Sequence, residues 1–355
     1  MFVLALFGCS SFTLTNSTAQ NNPSIETNLM GRLDAWQPVE FTAKPFSSLE
    51  QHSFCEEGGD FDPDISSDGN LIVFSSLRHS PNPDLYIKQT DGATTTRLTS
   101  DPASEIQPCF SPSGDKVAYA TNRAGNWDIW VIGVDGTNPV RMTTDVSNDI
   151  HPSWSADGKY IVYCSFGTRS QQWELWIAEA DSPSTKKWIG YGMFPEWNPN
   201  PKINKITFQL ARFRGSQWFS IWTVDMVDGQ ARFPTEIVSS ISHACICPSW
   251  SPDGKQIAYS TVSRSKYEKT DPTFAENNGE DIWIVGLNGK NNYRLTTSDA
   301  SDYSPTWAPN GSVFFCSDRK YIDNIWSVKP LEVDFSPEKQ PLRLSKHPQG
   351  GIQAN

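Results

Sequence analysis

The chain has 355 residues, 37% of them hydrophobic, and its 40 Asp and Glu outweigh its 29 Lys and Arg for a formal charge of −11. A surface that acidic repels phosphates, and with no basic run or nucleic-acid motif to offset it, nucleic acid is not an expected partner. The 14 Trp, 25 Pro and 23 Gly suit many short strands joined by tight turns rather than long helices.

In chain order, the first eight residues are apolar and stop at Cys9. No later stretch approaches the run of about eighteen apolar residues that a membrane helix needs. Leu6-Phe7-Gly8-Cys9 resembles the lipobox of bacterial lipoproteins, in which the leader is cut before the cysteine and the thiol is lipidated. No Lys or Arg precedes Cys9, whereas a signal peptide opens on a positive segment, so the true start of a leader is expected upstream. From Ser10 to Asn28, 13 of 19 residues are Ser, Thr, Asn or Gln, the composition of a flexible tether.

A near-identical phrase then opens six times on a proline, at Pro63, Pro108, Pro152, Pro195, Pro248 and Pro305, with spacings of 45, 44, 43, 53 and 57. The polar stretch Ser263–Glu280 accounts for the longer fifth unit. Each unit reads as four strands. The first ends in a Gly turn (Asp68-Gly69, Ser113-Gly114, Asp157-Gly158, Asp253-Gly254, Asn310-Gly311), and the third carries an Asp-Ile-Trp-like phrase such as Asp128-Ile129-Trp130. The fourth ends in a phrase such as Arg141-Met142-Thr143, and the fourth unit is the weakest copy, without a Gly turn. Four strands at a period near 44 specify a β-propeller blade, and six copies close a six-bladed, all-β ring of four-stranded antiparallel blades. Nine of the 14 Trp fall in two repeat columns, among them Trp154, Trp197, Trp250 and Trp307, where they are expected to fill the wedges between twisted blades.

The phrase P-x-W-S-P-D-G, followed by a strand, an Arg, D-I-W and R-L-T, resembles the PD40 (WD40-like) repeat of the TolB propeller family over about residues 59 to 346. That resemblance implies a propeller used in binding proteins, in peptidase accessory domains and in a few lyases. Only about thirty polar and mixed residues separate the tether from the first blade, so the resemblance is to the TolB propeller without its N-terminal α/β domain. The expected organisation is a leader over 1–9, a tether over 10–32 and a segment over 33–58 that packs on or closes the ring. The propeller covers 59–348, with blades near 59–103, 104–147, 148–191, 192–241, 242–300 and 301–346, and a tail covers 349–355. Two stretches compete for the outer edge of blade 6, namely Leu342–Ser345 and Val39–Leu49.

The innermost strands should line a central channel, which makes the residues just before each repeat proline the candidate site. Three before Pro stand Asp60, Glu105, Asp149 and Asp302, on four neighbouring blades; one before Pro the column adds Asp62 and His151. Because they lie just before the repeat proline on the innermost strands, these carboxylates are expected to converge at one channel mouth. There they would attract a calcium ion or a basic segment of a partner. Each blade also carries an Arg between its second and third strands (Arg78, Arg123, Arg169, Arg214, Arg264, Arg319), expected to pair with the Asp or Glu of the D-I-W phrase. His243, Cys245 and Cys247 alternate and form the one weak candidate for a metal site.

Cys164 and Cys316 share a repeat column on opposite blades and read as small buried residues rather than a disulfide. No Gly-x-Ser-x-Gly elbow and no dinucleotide or P-loop glycine pattern occurs. The expected protein is therefore a monomeric, non-catalytic exported scaffold. It would be periplasmic or anchored to the outer membrane of a bacterium through Cys9, contact the membrane only there, and bind an envelope protein or peptide at an acidic channel mouth. The alternative is a propeller enzyme resembling oligogalacturonate lyases, or another carbohydrate-binding or carbohydrate-processing propeller.

Overall fold

A computed structural model describes residues 46–211, 219–263 and 280–331. Cys9, the tether, Arg214, Arg264, most of the blade 5 insertion and the candidate strand Leu342–Ser345 lie outside the described residues.

The described chain forms 24 strands in six four-stranded sheets. After β1 (Phe46–Gln51), blade 1 holds β2 (Asp60–Ile65), β3 (Leu71–Ser76), β4 (Asp84–Gln89) and β5 (Thr95–Arg97). Blade 2 holds β6 (Glu105–Phe110), β7 (Lys116–Thr121), β8 (Asp128–Gly133) and β9 (Val140–Arg141), and blade 3 holds β10 (Asp149–Trp154), β11 (Tyr160–Gly167), β12 (Gln172–Glu179) and β13 (Lys186–Tyr191). Blade 4 holds β14 (Met193–Trp197), β15 (Lys205–Ala211), β16 (Phe219–Val227) and β17 (Gln230–Val238). Blade 5 holds β18 (His243–Trp250), β19 (Gln256–Ser263), β20 (Asp281–Gly286) and β21 (Tyr293–Arg294). Blade 6 takes β22 (Asp302–Trp307), β23 (Val313–Ser317) and β24 (Asn324–Pro330) from one end of the repeat array and β1 from the other, with Leu49 across from Val328. The ring is therefore closed by the N-terminal stretch.

The second strands are almost uniformly buried because each is covered by a neighbouring blade on both faces; Ile72, Val73 and Phe74 are fully buried, as are Val117, Ala118, Tyr119 and Ala120. The tryptophans two after the repeat prolines sit in the seams. Trp154 Nε1 donates to the Cys109 carbonyl of the previous blade at 3.2 Å, and Trp250 Nε1 donates to the Glu196 carbonyl at 3.1 Å. Cys164 and Cys316 are fully buried and, like the other described cysteines, unbridged.

Each innermost strand carries the same irregularity. Between Phe61 and Asp64, Ile106 and Cys109, and the four equivalent pairs, it advances three residues while its partner advances two, a β-bulge. The residue before the proline takes left-handed φ in all six blades: 51° at Asp62, 56° at Gln107, 55° at His151, 50° at Phe194, 50° at Cys247 and 49° at Ser304. A proline is tolerated beside it because this edge of the sheet has no further strand to receive an N–H. Among the described residues no helix is long and apolar enough to cross a membrane.

Candidate functional site

The bulges build an axial cavity of about 550 Å³, to which all six blades contribute residues on either side of the repeat proline. One row consists of the six bulge residues. Their side chains interlock around the ring. The Gln107 backbone N–H serves the Asp62 carboxylate, the His151 N–H donates to Gln107 Oε1 at 3.0 Å, and the His151 ring lies 3.6 Å from that of Phe194. The next row stands one after proline and contains Asp64, Cys109, Ser153, Glu196, Ser249 and Thr306. Here each carboxylate holds the following blade. Asp64 Oδ2 accepts from Phe110 N–H at 2.7 Å, and Glu196 Oε1 accepts from Trp250 N–H at 3.1 Å.

Among the described residues, three carboxylates line the cavity, Asp62 and Asp64 from blade 1 and Glu196 from blade 4, and no Lys or Arg does. Burial pushes Asp62 up to about 7 against the pull of the Gln107 N–H, and pushes Asp64 up to about 6 against Phe110 N–H and other donors. Glu196 rises to about 8, chiefly through burial, with the charge of Asp64 adding to it. A cation entering the cavity would stabilise the ionised forms and displace protons.

His151 is neutral. Gln107 Nε2 donates to its Nε2 at 2.6 Å, which leaves Nδ1–H to face Cys164 Sγ at 3.3 Å, while the thiol donates to the Ile150 carbonyl at 3.3 Å. Burial pulls His151 down to about 3 and pushes the Cys164 thiol up. A Cys beside a His here is a satisfied buried pair and not a nucleophile with its base, since a reactive thiol needs a depressed pKa and access.

The residues singled out in the sequence divide. Asp62 and His151 line the cavity. Asp60, Glu105, Asp149 and Asp302 do not converge with them: all four are fully buried within their blades and absent from the cavity wall. The bulge is the reason, because it breaks the i, i+2 alternation that would put Asp60 and Asp62 on one face. Three of these acids face arginines, Asp60 with Arg78 at 2.5 Å, Glu105 with Arg123 at 3.1 Å and Asp302 with Arg319 at 2.7 Å. The expected pairing of these arginines with the D-I-W acids is thus corrected. Asp84, Asp128 and Asp281 instead take Arg97, Arg141 and Arg294 of the R-L-T phrase. Arg169 is exposed, and the position equivalent to Arg78 in blade 3 is Gly167, two beyond the partner of the first-strand acid.

His243, Cys245 and Cys247 are parted by the same device. Cys245 packs in the seam with Ile221, Trp250 and Tyr259, while the bulge at Cys247 turns that residue to the axial cavity. Among the described residues no group of three His, Cys, Asp or Glu is placed to hold a metal ion, so neither this trio nor a calcium ion at the channel mouth gains support. Asp64 and Glu196 escaped the sequence reading, which stopped at the proline; the signal was a polar or small residue one after proline in six buried strands.

The family model for the Tricorn protease N-terminal beta propeller domain matches residues 61–236. A TolB homolog of Chlorobium luteolum is 32% identical over 71 residues, which is 20% of this chain and 16% of the relative's length. Among solved structures, a TolB-type protein of Agrobacterium tumefaciens superposes with a TM-score of 0.56 at 20% identity, covering 78% of this chain and 91% of that one. An oligogalacturonate lyase of Vibrio parahaemolyticus superposes with a TM-score of 0.53 at 13% identity, covering 79% and 93%. At those identities the structural likeness is one of fold.

Proposed function

Proceeding from a chain that is a TolB-like six-bladed propeller, we propose that it is a non-catalytic scaffold of the bacterial cell envelope. In this reading it binds a protein or peptide that places a basic side chain in the axial cavity. The observation that carries this reading is a cavity of about 550 Å³ whose wall, among the described residues, holds three carboxylates and no Lys or Arg. Such a concave site focuses its field on a cation. Export and anchoring through Cys9 belong to the same proposal and rest on the lipobox-like Leu6-Phe7-Gly8-Cys9.

The lyase reading is the weaker one, because among the described residues His151 is the one His of the cavity wall, and burial holds it neutral with both ring nitrogens engaged. The test is a pull-down from envelope extract with the wild-type protein and with an Asp62→Asn/Glu196→Gln double variant. A partner retained by the wild type and lost by the variant supports the proposal, and equal recovery by both overturns it.

A further inference from the structure

The buried ion pairs of blades 1, 2 and 6 follow one design. The first-strand acid stands across the sheet from a Ser or Thr (Asp60 from Ser76, Glu105 from Thr121, Asp302 from Ser317), and the arginine follows that partner by two residues. Its guanidinium also lies against two rings. Arg78 is 5.5 Å from the Phe74 ring centre and 5.1 Å from that of Tyr86, Arg123 is 5.9 and 4.8 Å from Tyr119 and Trp130, and Arg319 is 5.5 and 5.0 Å from Phe315 and Trp326. Carboxylate and aromatic faces together make a cage for a planar cation.

Blade 3 keeps every wall of this cage, and among the described residues no arginine stands in it. Asp149 stands across from Ser165, and Tyr163 stands across from Trp176, in the same register as the other blades. The arginine position is Gly167. The second arginine is missing too: opposite Trp176 stands Trp188, where Arg97, Arg141 and Arg294 stand opposite Tyr86, Trp130 and Trp283. Asp149 is fully buried, and no described arginine reaches its carboxylate, which has only the hydroxyls of Ser165 and Thr143 beside it, both outside good hydrogen-bond geometry. The second acid of the blade, Glu174, accepts from Ser170 Oγ at 2.6 Å and from Trp176 Nε1 at 3.0 Å.

We propose that Asp149, Glu174, Tyr163 and Trp176 form a binding site for a guanidinium group supplied from outside the chain. The route in is the one the arginine stem takes in the sister blades. At Gly167 it is filled by Ser170 Oγ and Glu174 Oε1, the nearest atoms to a Cβ placed there. Both are ends of flexible side chains, and turning them aside admits the cation and brings Glu174 to it as a second carboxylate. The site is separate from the axial cavity, so it does not depend on the function proposed above.

The probe is methylguanidinium chloride, titrated at pH 8 into the full chain and followed by the rise in melting temperature. The expected result is saturable stabilisation of the wild type, with the apparent affinity falling at least about tenfold in Asp149→Asn, as loss of a charge-assisted hydrogen bond requires. Read in an Asp62→Asn/Glu196→Gln background, which removes the axial carboxylates proposed above as a seat for a cation, the response should persist, and Gly167→Arg, which supplies the guanidinium in cis, should abolish it. The proposal is overturned if the wild type does not respond, or if Asp149→Asn and Gly167→Arg respond as the wild type does. Loss in the Asp62→Asn/Glu196→Gln background together with retention in Asp149→Asn would place the cation in the axial cavity and also overturn it.

Discussion

Asp60 and Asp62 are two residues apart on one strand, and their rows meet opposite fates. Asp60, Glu105 and Asp302 are fully buried and face arginines from their own blades. Asp62, with Asp64 and Glu196, lines an axial cavity in which no basic side chain of the described residues stands. The difference does not come from the acids. It comes from a left-handed residue that turns one row to the axis, and from an arginine placed to close the other. An acidic column in a repeat protein thus becomes a binding surface or a buried ion pair according to the backbone between its members.

The largest effect should come from the seams that hold both rows in place. Trp250 is 1% exposed and packs against Ile221, Ile237 and Tyr259. Trp250→Ala should cost about 3–5 kcal/mol in chemical denaturation, as truncation of buried aromatics does; a loss below about 1 kcal/mol would mean that the seam does not carry the ring. Next comes the contrast between the rows. Arg78→Met strands the fully buried Asp60 and should cost roughly 3 kcal/mol, the low end for breaking a buried pair, because Arg78 keeps 18% exposure. Asp62→Asn should cost under about 1 kcal/mol, since its amide oxygen can still accept the Gln107 N–H. Equal costs would erase the distinction.

The smallest effect is a slope with pH. Asp62 at about 7, Asp149 at about 7, Glu105 at about 7 and Glu196 at about 8 all bind protons more tightly folded than unfolded. Their contribution is present at acid pH and is lost as pH rises through those values. His151, lowered from 6.5 to about 3, acts in the opposite sense, and only as pH falls below its unfolded value. Between pH 6.5 and 8 the carboxylates therefore dominate, and the melting temperature should fall. Glu196→Gln should flatten that fall, and an unchanged slope would show that Glu196 is not held protonated in the folded protein.

The six-bladed ring was legible because the repeat phrase marks each inner strand and each hairpin with Pro, Gly and Trp at fixed offsets. Even the weak fourth unit forms four strands, its Gly turn replaced by Asn198 and Asn200, whose side chains bond the Gly254 and Asp253 carbonyls. The site was half legible. Asp62 and His151 were found, but their common place just before the repeat proline grouped them with Asp60, Glu105, Asp149 and Asp302, and nothing in residue identity reveals the bulge that turns the two columns apart. The crossed arginine pairing was hidden for a related reason: Arg78 and Arg97 both lie within reach of blade 1's two acids in a drawn alignment, and only the register decides between them.

The central claim is that binding belongs to the open row. Its most direct test is calorimetric titration of tri-lysine at pH 8 into the wild type, an Asp62→Asn/Asp64→Asn/Glu196→Gln variant and an Asp60→Asn variant. The wild type and Asp60→Asn should bind alike, and the triple variant should bind at least about tenfold more weakly, since each charge-assisted contact removed is worth 1.5–3 kcal/mol or so. Undiminished binding by the triple variant, or loss confined to Asp60→Asn, would contradict the claim.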